Sequence, residues 1–400
     1  MELLSGVIRA YPWGSRTAIA ELRGDSPSAS PEAELWFGAH PAGSSRLGST
    51  LLIDRIAEDP TAALGQRVVE QYGSNLPFLL KILAANEPLS LQAHPSKAQA
   101  MEGFARENNA GLAANDPTRN YKDDNHKPEL IVALTEFEAM AGFRPLVETS
   151  VLFDVLACPE LERYRTMLVG DPAEEESNIR ALFTTWITIP IAARKQLIEA
   201  LVARAREHIA GTSEHGWIEQ ALKNFIELAE LYPGDAGVLG ALLLNKLTLQ
   251  PGEAIYLDAG QLHAYVRGLG VEVMANSDNV LRGGLTSKYV DVPELVKVLD
   301  FRSLRNPVRV PEMREGWWHY PVPAADFALA SAVMEPGQEL DIQPDGPTIV
   351  LCARGSFRAS QYGEDDVCVG SAEALWLPES SGAVTLHAGE VGAHVFRAHV

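Results

Sequence analysis

The segment 77-PFLLKILAANEPLSLQAHPSKAQA-100 combines an apolar run with the alternating pattern S-L-Q-A-H that follows it. Residues two apart in an extended strand point to the same face of a sheet. The alternation therefore predicts a short strand that directs Ser90, Gln92 and His94 to one face and the apolar residues between them to the other. Pro95 follows at once and ends the strand. Three polar groups on one face, at the end of a strand, make this segment the starting point for a binding site.

The net charge of the chain limits its partners. Its 400 residues are 46% hydrophobic and 22% charged, which is ordinary for a globular protein of two or three domains. The formal net charge of −20 leaves no basic excess to neutralise phosphates. We therefore expect neither a nucleic-acid partner nor an anionic membrane partner. The charge of an anionic substrate would have to be neutralised within the binding site, by a few lysines and arginines or by a metal.

The sequence predicts a cytoplasmic protein. It has no run of about 18 apolar residues that could span a membrane, and the N-terminus MELLSGVIRAYPWGS lacks the basic-then-apolar order of a signal peptide. The three cysteines, Cys158, Cys352 and Cys368, are scattered and form no CxxC pair. This cysteine usage indicates a reducing compartment without a disulfide framework.

The apolar pattern changes twice along the chain. Up to about Pro145, short apolar runs separated by turns predict strands and short helices. From about Leu146 to Tyr232 the apolar residues recur with helical spacing, which predicts several amphipathic helices. From about Leu242 onward, short β runs separated by turns return. The simplest arrangement is a mainly β protein with jelly-roll or sandwich domains and a helical block inserted into the β framework.

Two more polar residues are candidates to join Gln92 and His94. Glu129 begins the apolar run of 125-NHKPELIVAL-134, and His263 follows a tight glycine turn in 258-DAGQLHAY-265. Two imidazoles, one carboxylate and an amide oxygen suit a zinc site, and a single anionic ligand leaves the ion a residual positive charge for Lewis-acid chemistry. On spacing alone, ordinary hydrogen-bonded side chains explain the same residues, so both interpretations stay open at this point.

A glycine-rich segment further along, 272-EVMANSDNVLRGGLTSKY-289, carries two cations. Glu272 begins a predicted strand, and Arg282 and Lys288 lie on either side of a turn with two glycines. Glycines let the backbone approach a ligand closely, and the two cations suit an anion such as a phosphate. A surface salt bridge is the alternative explanation, and composition alone does not decide between them.

Six segments of the chain, in this order, resemble the type I mannose-6-phosphate isomerases (phosphomannose isomerases) of the cupin superfamily. The ordered series spans most of the chain and is far more specific than any one member. The helical block and the C-terminal region resemble the family mainly in their position along the chain and in their pattern of apolar residues. The segments are YPWGS (Tyr11–Ser15), AELWFGAHP (Ala33–Pro41), LPFLLKILAANEPLSLQAHPS (Leu76–Ser96), NHKPEL (Asn125–Leu130), PGEAIYLDAGQLHAY (Pro251–Tyr265) and SDNVLRGGLTSKYVDV (Ser277–Val292).

The resemblance implies a mainly β fold of two cupin-like jelly-roll barrels with an α-helical insertion domain. Residues 1–145 and 236–310 would form the catalytic cupin domain, and residues 146–235 the helical insertion. Residues 311–400 would form a C-terminal cupin-like domain that is structural and free of metal. We expect the protein to be a monomer.

The resemblance also implies a role for each candidate site residue. Arg282 would act at the reacting carbons, and Glu272 and His126 are alternative candidates for the general base. Lys127 and Asp278 would complete the catalytic group. The implied ligands of one zinc ion per chain are Gln92, His94, Glu129 and His263, and the implied substrate-binding residues are Ser90, Lys81, Lys288 and Trp13.

The implied reaction interconverts mannose 6-phosphate and fructose 6-phosphate through a cis-enediol. It would serve mannose metabolism and supply mannose 6-phosphate for GDP-mannose, so a phosphosugar is the expected small-molecule partner. A non-catalytic cupin is the rival class, and it would need neither Arg282 nor a phosphate-binding loop. A second rival, a cupin oxygenase, would use an iron site of two histidines and one carboxylate. The additional Gln92 and the segment 277–289 argue against an oxygenase.

Overall fold

The computed structural model describes residues 1–168, 171–211 and 216–400. Within these residues the strands form two eleven-stranded antiparallel sheets, so the protein is mainly β, as the sequence predicted. In chain order the strands are β1 (Glu2–Ser5), β2 (Val7–Arg9), β3 (Glu34–Phe37), β4 (Arg46–Leu47), β5 (Thr50–Leu51), β6 (Phe78–Ala85), β7 (Leu91–Ala93), β8 (Glu129–Ala133), β9 (Phe137–Phe143), β10 (Leu244–Leu249), β11 (Ala254–Leu257), β12 (His263–Ala275), β13 (Leu281–Gly284), β14 (Val308–Arg309), β15 (Glu312–Arg314), β16 (Trp317–Tyr320), β17 (Ala328–Met334), β18 (Glu339–Ile342), β19 (Thr348–Ser360), β20 (Val367–Gly370), β21 (Glu373–Leu377) and β22 (Val384–His399).

Helices connect the strands and cover the sheets. The α-helices of the described residues are α1 (Ala18–Leu22), α2 (Leu52–Glu58), α3 (Pro60–Leu64), α4 (Gln66–Tyr72), α5 (Lys97–Asn109), α6 (Leu146–Leu156), α7 (Glu175–Thr188), α8 (Ile191–Gly211), α9 (Trp217–Leu231), α10 (Ala236–Ala241) and α11 (Val292–Val298). Two 3-10 segments, Pro159–Met167 and Pro172–Glu174, lie between α6 and α7. Helices α6 to α9 follow one another where the helical spacing of apolar residues predicted them. No described helix combines the length and the apolar character needed to cross a membrane.

The first sheet is organised around the long strand β12. Its order is β14-β11-β8-β12-β6-β3-β2, and β7, β9, β10 and β13 join it through β12 or through one another. The first residue of β12, His263, pairs with β7 and β9, whereas residues 268–275 pair with β6 and residues 270–274 with β8. Tyr265 near the start of β12 and Glu272 and Met274 near its end line the same cavity.

The second sheet contains the C-terminal strands and part of the N-terminal region. Its order is β15-β16-β17-β22-β19-β21-β1-β4-β5, with β18 on β22 and β20 on β19. Strand β1 pairs with β21, with Leu3 opposite Leu375. The first residues of the chain therefore contribute hydrogen-bonded strands to the sheet that the C-terminal residues form.

An apolar core lies between the two sheets. Leu35 and Leu80 from the first sheet and Leu351 and Trp376 from the second belong to one cluster and are at most 4% exposed. Burial of a large apolar side chain stabilises a fold by roughly 1.5–3 kcal/mol. This shared core therefore fixes the two sheets relative to each other.

A separate apolar cluster attaches the helices to the back of the strands that carry the polar alternation. Leu91 and Ala93 of β7 and Leu281 of β13 are at most 1% exposed and belong to the same cluster as Phe183 and Trp186 of α7. Since successive side chains of a strand point to opposite faces, this burial turns the polar residues of β7 and β13 to the other side. The helices thus pack against the side of β7 and β13 that faces away from the candidate site.

Candidate metal centre and active site

Strand register brings three of the predicted site residues side by side. Gln92 in β7 lies opposite His263 in β12 on one side and opposite Arg282 in β13 on the other. In the other half of β12, Glu272 lies opposite Lys81 of β6, and Met274 lies opposite Glu129 of β8. The pairing of distant strands therefore gathers residues that are up to about two hundred positions apart.

Two histidines and a glutamate form a buried cluster with the geometry of a metal site. One ligand atom from each of His94, Glu129 and His263 lies within 4.8 Å of the other two, and all three residues are at most 2% exposed. Nε2 of His94 lies 3.3 Å from Oε1 of Glu129, and Nε2 of His263 lies 3.4 Å from Oε2. No other group of three such residues meets this geometry in the described part of the chain.

The protonation of the two imidazoles is fixed by backbone carbonyls. Nδ1 of His94 lies 2.7 Å from the carbonyl oxygen of Asn279, and Nδ1 of His263 lies 2.9 Å from that of Gln261. A carbonyl only accepts, so in the neutral ring Nδ1 carries the proton and Nε2 presents a lone pair. Among the described residues neither Nε2 atom has a hydrogen-bond partner. Two such buried lone pairs beside a carboxylate are what a cation would bind.

Charges around the cluster favour the same protonation states. Burial, together with the positive charge of nearby Lys127, lowers the pKa of His94 to about 4. Burial would raise the pKa of Glu129, but Lys127, whose Nζ lies 2.9 Å from Oε1, and His94 hold it well below its usual range. Neutral imidazole and ionised carboxylate are the forms that ligate zinc. With the Gln92 amide on the neighbouring strand, the residues present fit the expected zinc ion.

The cluster lies beside a cavity of about 500 Å³, a volume typical of small-molecule sites. Its wall combines residues of β3, β6, β7, β8, β12 and β13 with the segment that follows β13. Most of the predicted site residues therefore come together in one place. The predicted residues that line it are Trp13, Lys81, Ser90, Gln92, Lys127, Glu129, Glu272, Asp278, Arg282 and Lys288.

Glu272 and Lys81 form a buried ion pair in the cavity wall. Nζ of Lys81 lies 2.8 Å from Oε2 of Glu272, and the Tyr265 hydroxyl donates to Oε1 at 2.8 Å. Burial raises the pKa of Glu272, which Lys81 opposes. Burial alone would lower the pKa of Lys81, but Glu272 and Glu34 raise it above its usual range. The pair can exchange a proton with a bound molecule while each partner compensates the charge of the other.

Arg282 on β13 and Lys288 in the segment after it supply positive charge to the cavity wall. Neither forms an ion pair with a described carboxylate, and partial burial of the charged groups lowers the pKa of both. Arg282 lowers the pKa of Lys288 further. Two uncompensated cations in a cavity wall of a protein with net charge −20 are suited to an anionic ligand.

His126 is placed differently from the other predicted residues. Its Nε2 lies 2.9 Å from Oδ2 of Asp326, a residue just before β17 of the second sheet. His126 is not among the described residues that line the cavity. Of the two predicted general bases, Glu272 is the one that lines the cavity among the described residues.

Several residues of the site were not predicted. Glu34 and Trp36 alternate on β3 and line the cavity, and Trp36 Nε1 donates to Glu34 at 2.8 Å. His40, which is 4% exposed, lies 3.4 Å from Asp278 Oδ1 and contributes to lowering the pKa of Asp278. Tyr232, from the end of the helical segment, also lines the cavity. The alternation in E-L-W could have indicated Glu34 and Trp36, but no local pattern indicates His40 or Tyr232.

Comparison with known proteins agrees with this geometry. A sequence model described as "Phosphomannose isomerase type I, catalytic domain" matches residues 1–146. The chain is 39% identical over 365 residues to mannose-6-phosphate isomerase of Escherichia coli (strain K12), with 89% of each chain covered. It is 34% identical over 393 residues to the Homo sapiens enzyme of that name, with 89% of this chain and 88% of the human one covered.

Solved structures with the same overall fold carry the same names. A mutant of phosphomannose isomerase from Salmonella typhimurium superimposes with a TM-score of 0.88 at 33% identity, covering 100% of this chain and 99% of that chain. A mannose 6-phosphate isomerase described as holo and zinc bound superimposes with a TM-score of 0.87 at 33% identity, covering 100% and 98%. The chain therefore belongs to the type I mannose-6-phosphate isomerase family.

Proposed function

We propose that this protein interconverts mannose 6-phosphate and fructose 6-phosphate by proton transfer between C2 and C1. The observation that supports this most is one cavity whose wall contains a buried Lys–Glu pair and two cations without a described acidic partner, beside a buried cluster of candidate metal ligands. An aldose–ketose isomerase needs each of these parts: polarisation of an oxygen, a proton carrier and a phosphate site. A coupled assay that follows fructose 6-phosphate formed from mannose 6-phosphate tests the proposal, and no turnover by the zinc-loaded protein would contradict it.

We propose that one zinc ion per chain is held by Gln92, His94, Glu129 and His263. The two lone pairs of the histidines and the ionised Glu129 support this assignment, and Gln92 is the strand neighbour of His263. When bound, zinc supplies Lewis acidity toward an oxygen of the substrate. Lys127, 2.9 Å from Glu129, holds that carboxylate in its ionised form.

We propose that the Lys81–Glu272 pair moves the proton. Glu272 is held from both sides by Lys81 and Tyr265, so its orientation in the cavity wall is fixed. Proton removal from C2 of the open-chain aldose gives an enediolate, which becomes the cis-enediol when O1 is protonated; loss of the O2 proton and return of a proton at C1 give the ketose. Arg282 faces the same cavity and would stabilise the negative charge that develops on the enediolate oxygens. Asp278, oriented by His40, would assist proton movement at the substrate oxygens.

We propose that Lys288 and Ser90 bind the phosphate. Lys288 is exposed and has no described acidic partner, and Ser90 lies on the cavity side of the segment that leads into β7. The phosphate would then anchor the sugar while its other end reaches the metal cluster, with Trp13 as a wall of the site. Trp13 stacks on Tyr11 with ring centroids 5.6 Å apart, which fixes its plane.

We assign two cupin-like jelly-roll barrels, with the catalytic one in residues 1–145 and 236–310 and the other in residues 311–400, and a helical insertion over residues 146–235. In this division the strands β1, β4 and β5 cross from the first part of the chain to the second sheet. We also propose that the protein is monomeric and cytoplasmic and that it supplies mannose 6-phosphate for GDP-mannose.

A further inference from the structure

The segment that carries Lys288 begins with a strained residue. Leu285 follows β13 directly and has a φ of +54°. This is the left-handed region, which residues other than glycine and asparagine rarely adopt. It is only 2% exposed. Leu285, Thr286, Ser287 and Lys288 all line the cavity, so residues 284–288 are here called the cavity loop. A strained conformation persists only where neighbouring groups hold it.

The group that holds the cavity loop is the carboxylate of Asp235. Its Oδ1 accepts a hydrogen bond from the backbone N–H of Leu285 at 2.7 Å. The same oxygen accepts a second hydrogen bond from the backbone N–H of Gly237, also at 2.7 Å, and so caps the first turn of α10. One oxygen atom therefore links the start of α10 to a loop 50 residues further along the chain.

The backbone of the cavity loop packs closely against the start of α10, with no space for a side chain at Gly284 or Gly237. A Cβ on Gly284, which has a φ of +126°, would lie 2.4 Å from the backbone nitrogen of Gly237 and 2.6 Å from Oδ1 of Asp235. A Cβ on Gly237 would lie 2.7 Å from the nitrogen of Leu285. Glycine at both positions is what allows the loop and the helix to come this close.

Asp235 stands at the end of the helical segment, beside another residue of the cavity. Tyr232, three positions earlier, lines the cavity, and its hydroxyl donates to the carbonyl oxygen of Pro88 at 3.0 Å. Pro88 lies two residues before Ser90. The last residues of the helical segment thus contact both the segment before β7 that carries Ser90 and the loop that carries Lys288.

We infer that Asp235 is a positioning residue for substrate binding: through Leu285 it sets the conformation of the cavity loop and thereby the place of Lys288 at the substrate phosphate. The inference rests on the proposed function, since it assigns the loop to the phosphate. Without the carboxylate, the Leu285 N–H loses its partner and the backbone can leave the left-handed region. Binding must then restore the loop conformation, and this cost appears as weaker binding of the phosphate group.

Asp235→Ala and Asp235→Asn test the inference as a pair. The asparagine carbonyl can still accept both N–H groups, so it keeps the link while it removes the charge. Asp59→Ala is the matched control, because Asp59 caps the short helix α3 through the backbone N–H of Ala62 at 3.0 Å and is not a lining residue of the cavity. Circular dichroism and urea midpoints establish that each variant is folded.

Three measurements separate loop positioning from general damage. We expect Asp235→Ala to raise KM for mannose 6-phosphate about three- to ten-fold, the effect of one lost hydrogen bond, with kcat changed less. We expect the same weakening for inorganic phosphate measured by titration calorimetry, which needs no turnover. The value of kcat/KM for unphosphorylated mannose should change little. Asp235→Asn and Asp59→Ala should both stay close to the wild type.

The inference is overturned if Asp235→Ala binds inorganic phosphate as the wild type does. It is also overturned if Asp235→Asn is as impaired as Asp235→Ala, or if mannose and mannose 6-phosphate are affected equally. A wild-type protein that binds phosphate without isomerising the sugar would contradict the proposed function instead. In that case the calorimetric comparison of the variants still decides the role of Asp235.

Discussion

Nε2 of His126 lies 2.9 Å from Oδ2 of Asp326, and this contact joins the two sheets next to the cavity. His126 belongs to the segment that enters β8, whereas Asp326 precedes β17 of the second sheet. Asp326 is only 4% exposed, and a buried carboxylate is tolerated when it has such a partner. The contact from the second sheet therefore fixes the position of His126, and Lys127 and Glu129 follow His126 directly in the chain.

His126→Asn and Asp326→Asn should therefore have similar and moderate effects. We expect each to lower kcat about three- to ten-fold, since each removes one positioning hydrogen bond. The double variant should be no worse than the poorer single one. Steady-state kinetics of the three variants decide the point. A loss of several hundred-fold for His126→Asn with a normal Asp326→Asn would restore His126 as the general base.

Lys81 and Glu272 should behave as one catalytic unit. Glu272→Gln and Lys81→Met each remove the ion pair, so we expect each to lower kcat by about 10²–10⁴. Because either change disables the same proton carrier, the double variant should not lose the product of the two factors. Tyr265→Phe is the control, because it removes one hydrogen bond and leaves the pair. Losses that multiply in the double variant would show that the two residues act independently.

Arg282 and Lys288 should have opposite kinetic signatures. Arg282→Ala should lower kcat about 10²–10³-fold with little change in KM, because its charge is needed where charge develops. Lys288→Ala should mainly raise KM for mannose 6-phosphate, and this penalty should shrink for unphosphorylated mannose. If Arg282→Ala changes only KM, Arg282 belongs with the phosphate. Normal kinetics in both variants would remove this segment from the active site.

Two histidines of the second sheet should make the protein less stable in acid. Burial lowers the pKa of His394 and of His399 to about 4, whereas the unfolded chain has the ordinary value of about 6.5. Below pH 6.5 the unfolded state binds protons that the folded state does not. The free energy of unfolding therefore falls as the pH drops from 6.5 toward 4, by at most about 3 kcal/mol for each histidine.

Melting temperatures between pH 7.5 and 4.5 check this expectation. The variant with His394→Gln and His399→Gln has lost both groups, so its melting temperature should depend less on pH than that of the wild type. Any acid effect at the metal ligands is common to both proteins and cancels in the comparison. Parallel pH profiles would mean that the two histidines do not contribute.

Local patterns in the sequence predicted the elements of the fold and the ligand strand. The alternation around Gln92 is present because Leu91 and Ala93 are buried at 0% exposure under the helices, which is the half-buried strand that a period of two indicates. The helical spacing between Leu146 and Tyr232 likewise depends on a single buried face, and the helices formed there.

Contacts between distant segments could not be predicted in this way. Leu3 pairs with Leu375, and His126 with Asp326, through the packing of two sheets that no local period encodes. Leu285 has an ordinary strand-like sequence context, and its left-handed conformation is accompanied by a hydrogen bond to Asp235, 50 residues earlier in the chain. For the same reason, sequence alone gave no choice between Glu272 and His126, whereas the geometry places one of them in the cavity wall.

The most direct test of the account is isomerase activity as a function of bound zinc. Protein stripped with a chelator should not convert mannose 6-phosphate to fructose 6-phosphate, and activity should return in proportion to added zinc until about one ion per chain is bound. His263→Ala should bind little zinc and stay inactive in the same titration, while remaining folded. Full activity of the metal-free protein, or no isomerisation by the zinc-loaded protein, would contradict the account.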